Sequence, residues 1–357
     1  MKYIYCVLFM AIMGLKTTYG QVKSAAPRLF VDSGIVVWDY HSKNIGEDYT
    51  IYVNVPSGYD TTKTNYPVLY LTDGDWNLNM AIDCFSMLEQ DYETTDPIIV
   101  AIGYGSRENM RARDFEPDKG GPKFYSFIAD EVMPFINSKY RVNGNNALYG
   151  YSYGGIFATW VLFEHPDVFK TVFIGAPGNN GRDLMPAAKK YFANHTDLNN
   201  KVFVGVGSYE HETAGNIDSF KTYLLNKSLK NLDLKTAIAP DAGHGTALAA
   251  VMQSAMKFGY CKTHTEIHQT AEQLKRYTGS YTLKSMPKIK FRLFTVGDAL
   301  YFQQGDNLPV HFVPCGDDSF FMYENELTTI YYKESDGKKY MLAGQPGQKP
   351  TRLDKID

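Results

Sequence analysis

The chain has 357 residues, 44% of them apolar and 14% aromatic, enough to bury one large core and a smaller second one. Its 36 basic and 39 acidic side chains leave a formal charge of -3 with no long like-charge run, which argues against nucleic acid as a partner. The 27 tyrosines fit β-structure and core filling ahead of carbohydrate or aryl recognition.

In chain order, Met1-Lys2 leads into an apolar run from Tyr3 to Leu15 and a polar stretch ending at Gly20, the pattern of a secretory signal peptide over residues 1–20. The run is too short to span a bilayer and no later segment approaches the length needed. A periplasmic or secreted protein without a stable membrane anchor is expected. Cys6 sits within the apolar run, with the wrong flanks for a lipoprotein cleavage site. Cys84, Cys261 and Cys315 would remain, an odd set that permits at most one bridge.

Between about residues 28 and 260, β-rich apolar runs alternate with helical patterns. Strands are predicted at Thr50–Val55, Pro67–Thr72, Pro97–Ile102, Ala147–Tyr151, Thr171–Gly175, Lys201–Val206 and Leu234–Ala239. Helices are predicted near 77–90, 122–139, 153–165, 216–230 and 246–259, with Pro166 as a stop. That alternation implies an α/β fold with a mainly parallel sheet covered on both faces, and a ligand site beyond the carboxyl ends of the strands. Residues 262–275 are polar and read as a linker or short docking helix. From Leu283 to Asp357, short alternating runs are punctuated by Gly297-Asp298, Gly316-Asp317 and Asp336-Gly337, which predicts a small antiparallel β barrel or sandwich. The division expected is 1–20 signal peptide, 21–262 catalytic domain and 263–357 linker with a small β domain.

Gly150 to Gly154 reads Gly-Tyr-Ser-Tyr-Gly between an apolar run and a helix, which places Ser152 at the apex of a sharp strand-to-helix turn. That turn exposes a serine nucleophile, and the flanking glycines permit close backbone approach. By itself the pentapeptide is weak evidence, so the chemistry needs a base, an acid and oxyanion donors in the right loops. His244, in the Asp241 to Thr246 loop after a predicted strand, is the first choice of base and His211 the reserve. Glu210, in the loop after Lys201–Val206, is the first choice of acid and Glu212 the alternative. The backbone N–H groups of Tyr153 and Asp75 are the expected oxyanion donors, so only the Asp75 backbone is assigned a part. His165 reads as a helix-end residue, and the pair His264 and His268 lacks an evident third metal ligand, so no metal and no cofactor are expected.

Several ordered segments resemble the esterase D and enterochelin-esterase-like group of α/β hydrolases. They run from Tyr52 to Asp60, Tyr66 to Gly74, Arg111 to Pro117 and Phe127 to Ile136, then through Tyr140-Arg141 and the Ser152 turn to Gly243-His244. The resemblance implies an α/β-hydrolase fold, a Ser152, Glu210, His244 triad, and Asp75 and Tyr153 as oxyanion donors. Trp76, Arg111, Arg113 and Tyr151 are candidate substrate contacts; for the two arginines, pairing with Asp114 or Glu116 is the structural alternative. The strings Leu274 to Tyr281 and Gly297 to Phe302 resemble the small β domain appended to some secreted serine hydrolases. The expectation is a secreted serine carboxylic-ester hydrolase acting on a siderophore-type or carbohydrate-linked (feruloyl or acetyl) ester, that is, a small-molecule or glycan partner. An acyltransferase with the same triad, or a non-catalytic binding protein, is the alternative.

Overall fold

The computed structural model describes residues 34–357, so the expected signal peptide lies outside the described residues. Eight strands build the main sheet: β1 (Ile35–His41), β2 (Asp48–Asn54), β3 (Tyr66–Leu71), β4 (Ile98–Gly103), β5 (Val142–Tyr151), β6 (Thr171–Gly175), β7 (Lys201–Gly207) and β8 (Asp233–Ala239). Their order is β1-β2-β4-β3-β5-β6-β7-β8. β1 and β2 pair antiparallel, β2 is antiparallel to β4, and every later pair is parallel. Val68 to Leu71 and Ile98 to Ile102 are fully buried, as continuous β-branched and aliphatic runs must be when a parallel sheet is covered on both faces.

The main helices are α1 (Gly74–Asp91), α2 (Tyr153–Glu164), α3 (Leu184–Phe192), α4 (His211–Leu225) and α5 (Leu248–Tyr260). α1 packs with α5, while α2, α3 and α4 pack in succession. The helix expected at 122–139 is three consecutive pieces, Gly121–Ser126, Phe127–Val132 and Met133–Lys139, the middle one π-helical. Among the longer elements, β1 and α3 escaped the sequence pattern. β1 adds an antiparallel edge strand whose residues are half-buried or exposed, so its apolar alternation is faint. α3 carries Pro186 in its first turn and buries only Leu184 and Ala188, too short a stripe to read as periodic. α4 begins five residues earlier than expected, directly after Glu210.

Beyond a two-stranded ribbon of Glu93–Thr94 with Cys261–Lys262, the polar connection contains one short helix, Ala271–Leu274, started by a capping box of Thr270 and Gln273. A closed antiparallel barrel follows: β9 (Gly279–Thr282), β10 (Phe291–Val296), β11 (Ala299–Gln304), β12 (Val310–Gly316), β13 (Ser319–Met322), β14 (Asn325–Ser335), β15 (Lys338–Gly344) and β16 (Thr351–Lys355). The three turn signals fall between consecutive strands. Closure pairs β9 with β16, leaving no exposed edge. Residues Gly34–Asp357 form one unit, and Cys84, Cys261 and Cys315 are all free.

Candidate active site

The carboxyl ends of β3, β5, β7 and β8 bring four loops together, as parallel α/β sheets do. At the end of β5, Ser152 has φ 60° and ψ -116°, a left-handed conformation that costs a non-glycine residue free energy. The turn is held by Ser152 N–H donating to Gly175 O at 2.9 Å and by the Ser152 carbonyl accepting from Gly155, Ile156 and Gly178. Neither flanking glycine has room for a side chain: a Cβ on Gly150 would lie 1.9 Å from Gly154 O, and one on Gly154 would lie 2.3 Å from Thr72 Oγ1.

His244 Nε2 lies 3.0 Å from Ser152 Oγ, and His244 Nδ1 lies 2.8 Å from Glu210 Oε2. A carboxylate only accepts, so it holds the proton on Nδ1 and leaves the Nε2 lone pair facing the serine hydroxyl. Glu212 is turned elsewhere, accepting from Asn180 Nδ2 at 2.9 Å and pairing with Arg182. His211 is the first residue of α4, so the loop after β7 is shorter than expected and contains no histidine. The two loops that carry Glu210 and His244 are tied: Ser208 N–H donates to Ala239 O and Tyr209 N–H donates to Ala242 O, both at 2.9 Å.

Tyr151, expected as a substrate contact, is 6% exposed and serves another purpose. Its hydroxyl donates to the His244 carbonyl at 2.5 Å, so it holds the histidine loop from below. Burial, with the nearby Glu210 carboxylate as a smaller cause, raises its pKa and keeps the phenol protonated.

Asp75 and Tyr153 stand in the first turns of α1 and α2, where backbone N–H groups have no partner within the helix. The Asp75 side chain is also engaged. Its carboxylate accepts from Tyr104 N–H at 2.7 Å, Gly105 N–H at 3.0 Å and Tyr52 Oη at 2.7 Å, which locks the loop to the end of β4. The expectation that only its backbone counts is therefore corrected.

Asp73, the residue before α1, has φ 56° and is 4% exposed. Arg111 grips it with Nε and Nη2 at 2.6 and 3.0 Å. Burial raises the Asp73 pKa and the Arg111 guanidinium opposes that shift. The same guanidinium lies 5.5 Å from the Trp76 ring and 5.2 Å from the Tyr153 ring. Sequence reasoning missed Asp73, although a buried acid inside a Thr-Asp-Gly-Asp turn was the available signal. Arg113, the other expected substrate contact, is corrected: its guanidinium is committed to Glu47, to Asp114 at 2.7 Å and to Tyr49 Oη at 3.3 Å.

Trp76 is 60% exposed and Tyr153 36% exposed, both beside the Arg111 guanidinium, and of the two Tyr153 lines the cleft. Ser152 opens into a cleft of about 800 Å³, with Ile156, Trp160 and the Pro186-Ala187 turn of α3 among its walls. His165, at the end of α2, stacks on Tyr125 with ring centroids 3.7 Å apart. His264 stacks on Phe321 and lies with Nε2 3.2 Å from Glu326 O, well apart in role from His268, which lies 3.9 Å from Asp298.

A model of the family described as "Putative esterase" matches residues 42–282. The chain is 24% identical over 274 residues to the ferri-bacillibactin esterase BesA of Bacillus subtilis (strain 168), a match covering 68% of this chain and 94% of that one. It is 28% identical over 192 residues to the siderophore enterobactin esterase of Emericella nidulans, covering 44% of this chain and 63% of that one. Among solved structures, the BES protein from Bacillus cereus superposes with a TM-score of 0.57 at 24% identity over 65% of this chain and 98% of that chain.

Proposed function

Since the chain belongs to this esterase family and is a carboxylic-ester hydrolase, we propose that it works through an acyl-enzyme on Ser152, with His244 as base and Glu210 as its orienting acid. The observation that carries this reading is the unbroken line from Glu210 Oε2 through the His244 ring to Ser152 Oγ, 2.8 and 3.0 Å. Ser152 Oγ attacks the ester carbonyl while His244 Nε2 takes the hydroxyl proton. The carbonyl oxygen becomes an oxyanion that accepts from the N–H groups of Asp75 and Tyr153. Collapse expels the alkoxide, which takes the proton from Nε2. Water, deprotonated by the same nitrogen, then cleaves the acyl-serine and returns the enzyme.

For the substrate we propose a siderophore-type ester. The siderophore esterases among its relatives support it, and so does a roomy cleft with Tyr153 and Trp160 in its wall. A feruloyl or acetyl ester of a carbohydrate is the second reading, favoured by the same aromatic residues in the cleft wall. We assign residues 21–262 to the catalytic domain and 263–357 to the linker and β domain. Export, with residues 1–20 as the signal peptide, is proposed from the N-terminal sequence; among the described residues no helix is long and apolar enough to cross a membrane.

The test is turnover of p-nitrophenyl esters, a catecholate trilactone and feruloyl and acetyl sugar esters by the protein and by Ser152→Ala. A loss of about 10³-fold or more in kcat is expected, with fluorophosphonate labelling of the wild-type serine only. Labelling that persists in Ser152→Ala would remove Ser152 from the mechanism. Repeating the assay with sugar or alcohol acceptors distinguishes hydrolysis from acyl transfer, because an acyltransferase would divert product to the acceptor.

A further inference from the structure

The barrel interior is filled at one end and open at the other. At the filled end, Tyr277 enters beneath the short helix Ala271–Leu274 and meets Phe320 and Tyr332 edge-on at 4.8 and 4.9 Å. Toward the opposite end the inward-facing residues of β12, β14 and β15 get smaller, from Phe312 to Val310, Tyr332 to Thr328 and Met341 to Ala343, and a cavity of about 230 Å³ remains. Phe302, Phe312, Ile330, Met341 and Leu353 form most of its apolar wall, and Ala343 sits where a larger side chain would fill it. The cavity reaches the loop between β11 and β12, where Leu308 is 89% exposed.

We propose that this cavity is a second binding site, separate from the esterase cleft, for a small uncharged aromatic molecule with one hydrogen-bonding substituent, of the alkylphenol class. Eight-stranded barrels are just wide enough either to be packed by side chains or to hold one small ligand. Cavities of about 150 Å³ with aliphatic and aromatic walls already take up benzene, so this one has room for a ring with a short substituent. The nature of the wall selects an aromatic guest. Phe302 and Phe312 stack 5.2 Å apart and nearly parallel at 8°, and Met322 and Met341 add polarizable sulfur. No charged side chain lines the cavity, so a carboxylate or ammonium head would be buried unpaired at high cost, whereas the amides of Gln304 and Asn307 suit a hydroxyl.

The test uses the full chain labelled with [methyl-13C]methionine, the Met322 and Met341 signals being assigned with Met→Leu variants. Titration with 4-propylphenol is expected to shift both methyl signals saturably, and octan-1-ol and octanoate to bind at least tenfold more weakly. Ala343→Phe, which fills the cavity, is expected to weaken phenol binding at least tenfold and leave p-nitrophenyl ester turnover within about twofold. Gln304→Leu, a variant with no demand on packing volume, is expected to weaken 4-propylphenol several-fold and leave 4-propyltoluene unchanged. Absence of a saturable shift, equal shifts in Ala343→Phe, or equal binding of octan-1-ol or octanoate would each overturn the proposal.

Discussion

At the scale of single residues, the site rests on side chains whose partners differ more than their positions suggest. Glu210 and Glu212 are two residues apart, yet one faces His244 and the other Arg182. The step into α4 separates them, because Glu210 precedes the helix while Glu212 lies in its first turn. Glu210→Gln is therefore expected to lower kcat by about 10³ to 10⁴, since an amide presents a donor to Nδ1 and favours the wrong tautomer. Glu212→Gln should stay within about twofold of wild type; steady-state kinetics of the two variants side by side decides it. Tyr151→Phe removes the hydroxyl that holds the His244 carbonyl. If His244 is the base, as proposed, the expected result is a fall of about tenfold in kcat with little change in KM, because the base is displaced while substrate binding is intact. An unchanged kcat would show that the loop holds its histidine without the tyrosine.

At the scale of elements, the strand-to-helix turn is where sequence and geometry constrain each other most. A Cβ on Gly150 would lie 1.9 and 2.3 Å from the carbonyl O and C of Gly154, far inside van der Waals contact, and both of those atoms are backbone. Relief would need α2 to move away from β5. Gly150→Ala is expected to cost about 3 kcal/mol, at the upper end of overpacking penalties, and to abolish turnover even in the folded fraction. Urea unfolding with an unchanged m-value is the measurement, and a loss below about 0.5 kcal/mol would contradict the close approach. The same scale explains the misplaced helix. The stretch 211–215 reads His-Glu-Thr-Ala-Gly, with polar residues and a glycine that weaken any helical pattern, but Thr213 and Ile217 are buried and tertiary packing recruits the turn. α3 and β1 were missed for a related reason: each buries too narrow a stripe for periodicity to show.

At the scale of the whole molecule, the barrel is joined to the α/β layer through a small set of polar contacts around Glu326. Its carboxylate lies 3.5 Å from Lys257 Nζ of α5 and accepts from His264 N–H at 3.1 Å, and Asn325 Nδ2 donates to Gln90 O of α1 at 2.7 Å. Lys257 is further held by Tyr92 Oη at 2.5 Å, so the cation is shared between the two layers. Glu326 has a side chain only 15% exposed, and removing it leaves a half-buried ammonium short of a partner. Glu326→Ala is expected to cost about 1 to 3 kcal/mol and to split one calorimetric transition into two as the barrel unfolds apart from the esterase layer. A single transition with unaltered Tm would mean that the contact does not couple them.

The alternation of apolar β runs with helical patterns by itself determined the α/β architecture and the change to an antiparallel β domain, because both signals come from local periodicity and turn chemistry. The Gly150 to Gly154 turn likewise marked Ser152, since few residue types tolerate that backbone. Only the tertiary structure decided what depends on residues far apart in the chain. It turned Glu210 rather than Glu212 toward His244, and it buried Tyr151 beneath the histidine loop. It also bound Arg111 to Asp73 and committed Arg113 to Glu47 and Asp114. Each of these outcomes is set by packing direction and charge pairing across loops, and neither is encoded in the spacing of residues along one element.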